Sequence, residues 1–144
     1  MIDQIIQAER ERERAQTAAL LKEIPGGDAV LTFLNGWAGF HDAEIVSLTL
    51  DYASGSKLVL AVTDGDRWAT FAFSLKPWID IDLKDFGHQN VINRLVISRP
   101  HLRQGEDSDT SSPSDLELFF GQCYGAYGSI KAGIEKIEFI RDGR

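Results

Sequence analysis

The apolar residues of this chain change their spacing partway along it. As far as about residue 37 they recur at helical intervals, and from Ala43 onward they recur every second residue, the interval of a strand with one buried face. Helices therefore come first and strands follow, without the alternation of strand and helix that builds a parallel sheet. This order predicts an α+β fold in which N-terminal helices pack on a largely antiparallel β-sheet. With 144 residues the chain has the length of one domain, so 1–144 reads as a single unit: a helix over 1–24, then a second helix and the sheet over 25–144.

Residues 2–24 are strong helix formers, and Pro25-Gly26-Gly27 breaks them off. The apolar residues sit at the two ends, Ile2, Ile5 and Ile6 first and Leu20, Leu21 and Ile24 last. Between them Glu9 to Arg14 alternate in sign, which supports a solvated helix by about 0.2–0.5 kcal/mol per pair. Ile2, Ile5 and Ile6 are left to reach beyond the domain body. Asp28 is placed to cap a second helix whose face carries Val30, Phe33, Leu34 and Trp37, with Gly36 near its end.

After Ala43 the period of two puts Val46, Leu48, Leu50 and Tyr52 on one side and Ser47, Thr49 and Asp51 on the other. Turns at Ser54-Gly55 and Asp64-Gly65-Asp66 lead into strands over 57–63 and 67–75, so three strands form a meander. Beyond Pro77, the run Trp78-Ile79-Asp80-Ile81-Asp82-Leu83 alternates apolar and acidic residues, the pattern of an exposed or edge strand with its acids in water. Another strand spans 91–98, and residues 104–114 form a polar, mobile loop. Leu116, Leu118 and Phe120 then alternate, residues 121–128 bend the chain, and Ile130, Ala132 and Ile134 open a last extended region. Ile137 and Phe139 fall on the opposite parity, which requires a bulge or a turn near Gly133.

Composition removes several functions. No stretch approaches the roughly 20 apolar residues of a membrane-spanning helix, and the N-terminus lacks a basic region followed by an apolar run, so a cytoplasmic protein without a membrane partner is expected. Cys123 is the only cysteine, which leaves no internal disulfide and assigns it to packing. A net charge of −7 opposes binding to phosphate backbones, so no nucleic-acid ligand is expected; the same charge steers a basic partner toward the surface.

The densest polar constellation is Trp37-Ala38-Gly39-Phe40-His41-Asp42-Ala43-Glu44, where the second helix hands over to the first strand. Strand parity extended backward turns Asp42 and Glu44 toward the packed face, where they require backbone donors, His41, an arginine such as Arg94 or Arg99, or a cation. Two readings stay open. In one, His41 and Asp42 satisfy backbone groups at a tight connection. In the other, His41, Asp42 and Glu44 join His88 as ligands of a divalent metal or as an acid/base pair, the centre of a metal-dependent enzyme or small-ligand binder. His101, beside Pro100, reads as an exposed loop residue. No HExxH spacing or GxSxG elbow occurs, Cys123 has no adjacent base, and Gly121, Gly125 and Gly128 match neither a dinucleotide fingerprint nor a phosphate loop. A nucleophilic hydrolase is therefore not expected. Of Trp37, Trp68 and Trp78, the last, beside Pro77 and Asp80, Asp82 and Asp85, is the one placed for an interface.

The segment from Trp37 through Asp51, with Phe40-His41-Asp42-Ala43-Glu44-Ile45, Ser47-Leu48 and Leu50-Asp51, resembles the immunity protein 50 family of bacterial polymorphic-toxin systems. Gln89-Asn90-Val91-Ile92 with Leu95 and Ile97, and the segment from Tyr124 to Gly128, are similar to later parts of that family. The resemblance spans about Trp37 to Phe139 and leaves the first helix outside. It implies a small intracellular protein that binds a cognate toxin and blocks it, without catalysis or a required cofactor. Trp37, Phe40, His41, Asp42, Glu44, His88 and Asn90 are then the motif residues, and Trp78, Asp80, Asp82 and Asp85 the candidates for contact with a basic toxin. Oligomeric state stays open.

Overall fold

The helix formers at the N-terminus make α1 (Ile2–Glu23), and the Pro25-Gly26-Gly27 break leads into a short α2 (Gly27–Phe33). The structure, a computed structural model, describes residues 2–99 and 115–144; the predicted loop at 104–114 and His101 lie outside the described residues. Among the described residues six strands follow: β1 (Glu44–Thr49), β2 (Ser56–Thr63), β3 (Trp68–Lys84), β4 (Val91–Ser98), β5 (Asp115–Tyr124) and β6 (Tyr127–Asp142). All pairings are antiparallel, as the short turns require, and the α+β class is as expected. The sheet closes on itself in the order β1-β2-β3-β6-β5-β4, a barrel that strand periodicity does not announce.

The interior is filled by alternating residues of every strand, among them Leu58, Leu60, Phe71, Phe73, Ile92, Leu95, Ile97, Leu118, Phe120 and Ile130, joined by Leu20, Leu21, Val30 and Leu34 of the helical segment. Each such side chain contributes about 1.5–3 kcal/mol on leaving water. The helices satisfy the backbone where strands lack a neighbour. β4 pairs with β1 only at its first residue, and farther along its edge the Ile97 N–H donates instead to the buried Thr17 Oγ1 of α1 at 3.0 Å. Among the described residues β5 pairs with β6 as far as Gly133, and beyond it Ile137 N–H donates to Pro25 O at 2.8 Å. The helical segment thus contacts both β4 and β6 through backbone N–H groups that no described strand pairs.

Five expectations change. Asp28 lies in the first turn of α2 and makes no capping bond; Gly26, in the left-handed conformation with φ 86°, holds the cap position. A bulge between Ile45 and Ser47 reverses the parity of β1, so Ile45 and Leu48 turn inward and Val46 outward, while Leu50 and Tyr52 fall past the strand end and are exposed. The run from Trp78 to Leu83 is no separate strand but the second half of β3, paired with β6 and carrying Asp80 and Asp82 into solvent. Cys123 is exposed near the end of β5, so packing does not account for it. The parity change near Gly133 is a bulge: Leu75 pairs with Ile134 and Ser74 with Lys136, leaving Glu135 extra. β5 runs straight through Gly121, and the bend is confined to the turn after Tyr124, where Gly125 has φ 82°.

Candidate functional site

The connection from α2 to β1 is tight because four of its residues adopt left-handed backbone: Asn35 (φ 55°), Gly36 (φ 82°), Phe40 (φ 56°) and Asp42 (φ 65°). Its backbone closes the barrel against β4. Asp42 N–H donates to Ile92 O at 3.1 Å, Ile92 N–H to Ala43 O at 2.9 Å and Ile45 N–H to Asn90 O at 2.8 Å. Phe40 and Ala43 are fully buried in the core between these bonds. The motif residues Phe40, Asp42 and Ala43 thus act at the seam through backbone and apolar contacts.

The polar side chains of this segment diverge. His41 Nδ1 lies 3.2 Å from Asp42 Oδ2, both side chains more than half exposed, so Asp42 does not face the core as strand parity predicted. Glu44 turns the other way, 3.1 Å from Arg144 Nη1, and accepts from Gln89 Nε2 at 3.3 Å. Arg144 in turn stacks on Trp68 with 4.1 Å to the ring centre. Neither arginine suggested by the sequence partners these acids: Arg94 pairs with Glu13 at 3.3 Å and Arg99 with Glu23 at 3.1 Å. His88 is exposed in the segment before β4, and among the described residues no group of three His, Cys, Asp or Glu is placed to hold a metal ion.

Asn90 is a fastener. Its buried Oδ1 accepts from Gly87 N–H and Ala126 N–H, both at 2.9 Å, and its Nδ2 donates to Gly87 O at 2.9 Å, tying the 85–90 segment to the β5–β6 turn. Trp37, expected on the core face of α2, stands beyond the helix end and is 52% exposed, with the Arg14 guanidinium 4.9 Å from its ring centre. It borders a cleft of about 230 Å³ between α1 and β4, lined also by Arg10, Glu13, His41 and Arg94. Glu13 answers Arg10 at 2.8 Å and Arg94 at 3.3 Å, so the cleft is an ionic seam joining helix to barrel. Glu13 and Arg94 lie 81 positions apart, so their pairing is not written in local spacing.

The second surface is on β3. Trp78 is 46% exposed, and beside it Leu50 and the 94% exposed Tyr52, with Asp51, Ser56, Pro77 and Ile79, line a shallow groove of about 560 Å³. Asp80 and Asp82 continue along the exposed face of the strand, and Asp85 ends it in left-handed backbone with φ 59°. The structure thus adds Leu50 and Tyr52 to the expected Trp78, Asp80 and Asp82; sequence parity had assigned both to the interior. Their signal was the polar Ser54-Gly55 turn just after them, where a strand has already ended.

Asp51 fixes the turn beneath this groove. Its Oδ1 accepts from Ala53 N–H at 2.9 Å and Ser54 N–H at 3.1 Å. The side-chain hydrogen bond from Ser54, then these two backbone bonds, hold its carboxyl below the ordinary value of 3.8. Asp64 is lowered likewise by the Arg67 and Asp66 N–H groups at the next turn. Because both folded values are depressed, the turn stabilisation is present above the unfolded value and is lost as pH falls through the folded one. Carboxyl ¹³C titration is expected to place both midpoints below 3.8, with Asp51 moving up in Ser54→Ala and Asp64 unmoved. A Ser54→Ala profile identical to the parent's would remove the assigned cause.

Compared with protein-family models, curated proteins and solved structures, the chain gives no significant match.

Proposed function

We propose that this protein is an intracellular immunity-type binding protein that neutralises a cognate bacterial toxin by associating with it. The observation that carries this reading is the Leu50, Tyr52 and Trp78 groove beside Asp51, Asp80 and Asp82, an apolar centre with an acidic border. Interfaces concentrate their energy in large aromatic anchors of this kind, and charges at the rim set the rate and choice of encounter. The resemblance of the Trp37 to Asp51 segment to immunity protein 50 agrees with it, and the net charge of −7 suits a basic toxin. No catalytic step and no cofactor enter this role.

The direct experiment is affinity purification of the tagged protein from its native cells at moderate salt, with mass spectrometry of what stays bound. A stoichiometric toxin-like protein is expected, and recovery of the chain alone from cells that express candidate toxins would sink the proposal. With a captured basic toxin, the double charge reversal Asp80→Lys with Asp82→Lys is expected to slow association about tenfold or more at low salt. The difference should shrink toward unity near 0.5 M salt, where screening is strong, and the melting temperature should hold because both side chains are exposed. Unchanged low-salt kinetics would exclude this face.

A further inference from the structure

We propose that the edge of β3 at residues 78–84, unpaired among the described residues, accepts an extended, basic segment of the bound protein as an added strand. This rests on the binding role above and specifies how the partner is held.

The first half of β3 is paired on both sides, with β2 from Ser56↔Leu75 to Thr63↔Trp68 and with β6 across the same stretch. β2 begins at Ser56, so from residue 79 to Lys84 the strand pairs, among the described residues, with β6 alone. Among the described residues, no backbone hydrogen bond reaches the other side of this segment. Such an edge offers an outward row of N–H and C=O groups at every second residue, a template for one more strand. Edges of this kind are commonly protected; among the described residues this one is blocked at its entrance, and along its length the charges of Asp80, Asp82 and Lys84 discourage a strand without complementary charge. At the entrance a bulge between Leu75 and Ile79 carries Pro77, which has no N–H to offer.

The two faces of the segment define what can add to it. Ile79, Ile81 and Leu83 lie half-buried against the core, while Trp78, Asp80, Asp82 and Lys84 are exposed. An added strand would lie in line with β2, beyond the Asp51 turn, with every second side chain against the isoleucine row and the others beside Asp80 and Asp82. Apolar residues fit the first set and Lys or Arg the second. The groove lined by Leu50, Tyr52 and Trp78 stands at the end of this track and takes a large apolar side chain. Across the sheet Lys131 lies opposite Asp80 and Glu117 opposite Lys131, so the acids of the exposed face outnumber its nearby bases. The same charge works against a second copy of this chain as occupant: edge-to-edge pairing would bring the Asp80 and Asp82 rows of two molecules together, each molecule carrying −7. Backbone bonds then supply general affinity and the alternating side chains supply selection.

The test uses the full chain and three synthetic heptapeptides: alternating Lys and Val; the same peptide N-methylated at alternate residues on one edge; and alternating Glu and Val. Amide hydrogen exchange is followed by NMR. With the Lys/Val peptide at saturation, alternate amides within 79–83 are expected to slow at least tenfold, the N-methylated peptide to bind at least tenfold more weakly, and the Glu/Val peptide not to bind. Equal binding of the methylated peptide, protection confined elsewhere, or no binding by the Lys/Val peptide overturns strand addition. A captured toxin that binds without slowing these amides overturns strand addition and leaves the binding role standing. Peptide addition without any captured toxin upholds the edge and removes the immunity role.

Discussion

Replacing Asn90 by alanine is expected to cost about 2–5 kcal/mol and to lower the melting temperature by about 10 °C or more. The residue is 4% exposed, and its single amide group makes three hydrogen bonds, two accepted from Gly87 and Ala126 N–H and one donated to Gly87 O. Alanine fills part of the space but leaves the Ala126 N–H buried without an acceptor, and each orphaned group costs about 1–3 kcal/mol. The loss spreads because Asn90 O also accepts from Ile45 N–H at the barrel seam. Gln89→Ala is the control: its side chain is exposed and bonds only Glu44, so a change within about 0.5 kcal/mol is expected. Denaturant unfolding of both variants decides the matter, and an Asn90→Ala protein as stable as Gln89→Ala would refute the fastening role. The same pair separates structure from recognition. If Asn90 only holds the fold, the remaining folded protein binds its partner with parental affinity.

The second large effect is expected at Gly26, where alanine should cost about 3 kcal/mol or more. With φ 86° the residue occupies left-handed backbone, which costs an ordinary L-residue about 1–2 kcal/mol. Space makes it worse, because an added Cβ would run into the carbonyl of Ile137 on β6. Relief requires lifting the turn away from the barrel and stretching the 2.8 Å bond from Ile137 N–H to Pro25 O. Gly36 provides the comparison, since its φ is 82° but nothing lies within 4 Å of an added Cβ. Gly36→Ala should therefore cost only the backbone term, about 1–2 kcal/mol. Urea melts of the two variants should differ by more than about 1 kcal/mol; equal costs would mean that the turn does not press on β6.

The block that drew attention in the sequence, from Phe40 to Glu44, emerges with an architectural part. Its polar density admits a reading as turn chemistry and one as ligands while only the order of residues is known. In the fold its backbone joins β1 to β4, Phe40 and Ala43 fill the core, and Glu44 parts from Asp42 to meet Arg144. That Arg144, a hundred positions away, supplies the partner could not be read from spacing.

Local rules carried much of the architecture. Helix formers ended by Pro25-Gly26-Gly27, the period of two after Ala43, and the turns at 54–55 and 64–66 are written in neighbouring residues, so α1, the β1-β2-β3 meander and the α+β class were legible. The acidic, apolar alternation of 78–83 likewise forecast a half-exposed strand with its acids in water. What failed was parity across bulges. One extra residue between Ile45 and Ser47 moved Val46 outward, and the strand ended before Leu50 and Tyr52, which placed those two in the candidate interface. A bulge answers to the partner strand's hydrogen-bond register, and that register is set at long range. Barrel closure, the contacts of the helical segment with β4 and β6, and the edge beyond Leu75 that no described strand pairs have the same origin. Each depends on where one strand outruns another, a difference of lengths between segments far apart in the chain, which residue order records only after those segments have met.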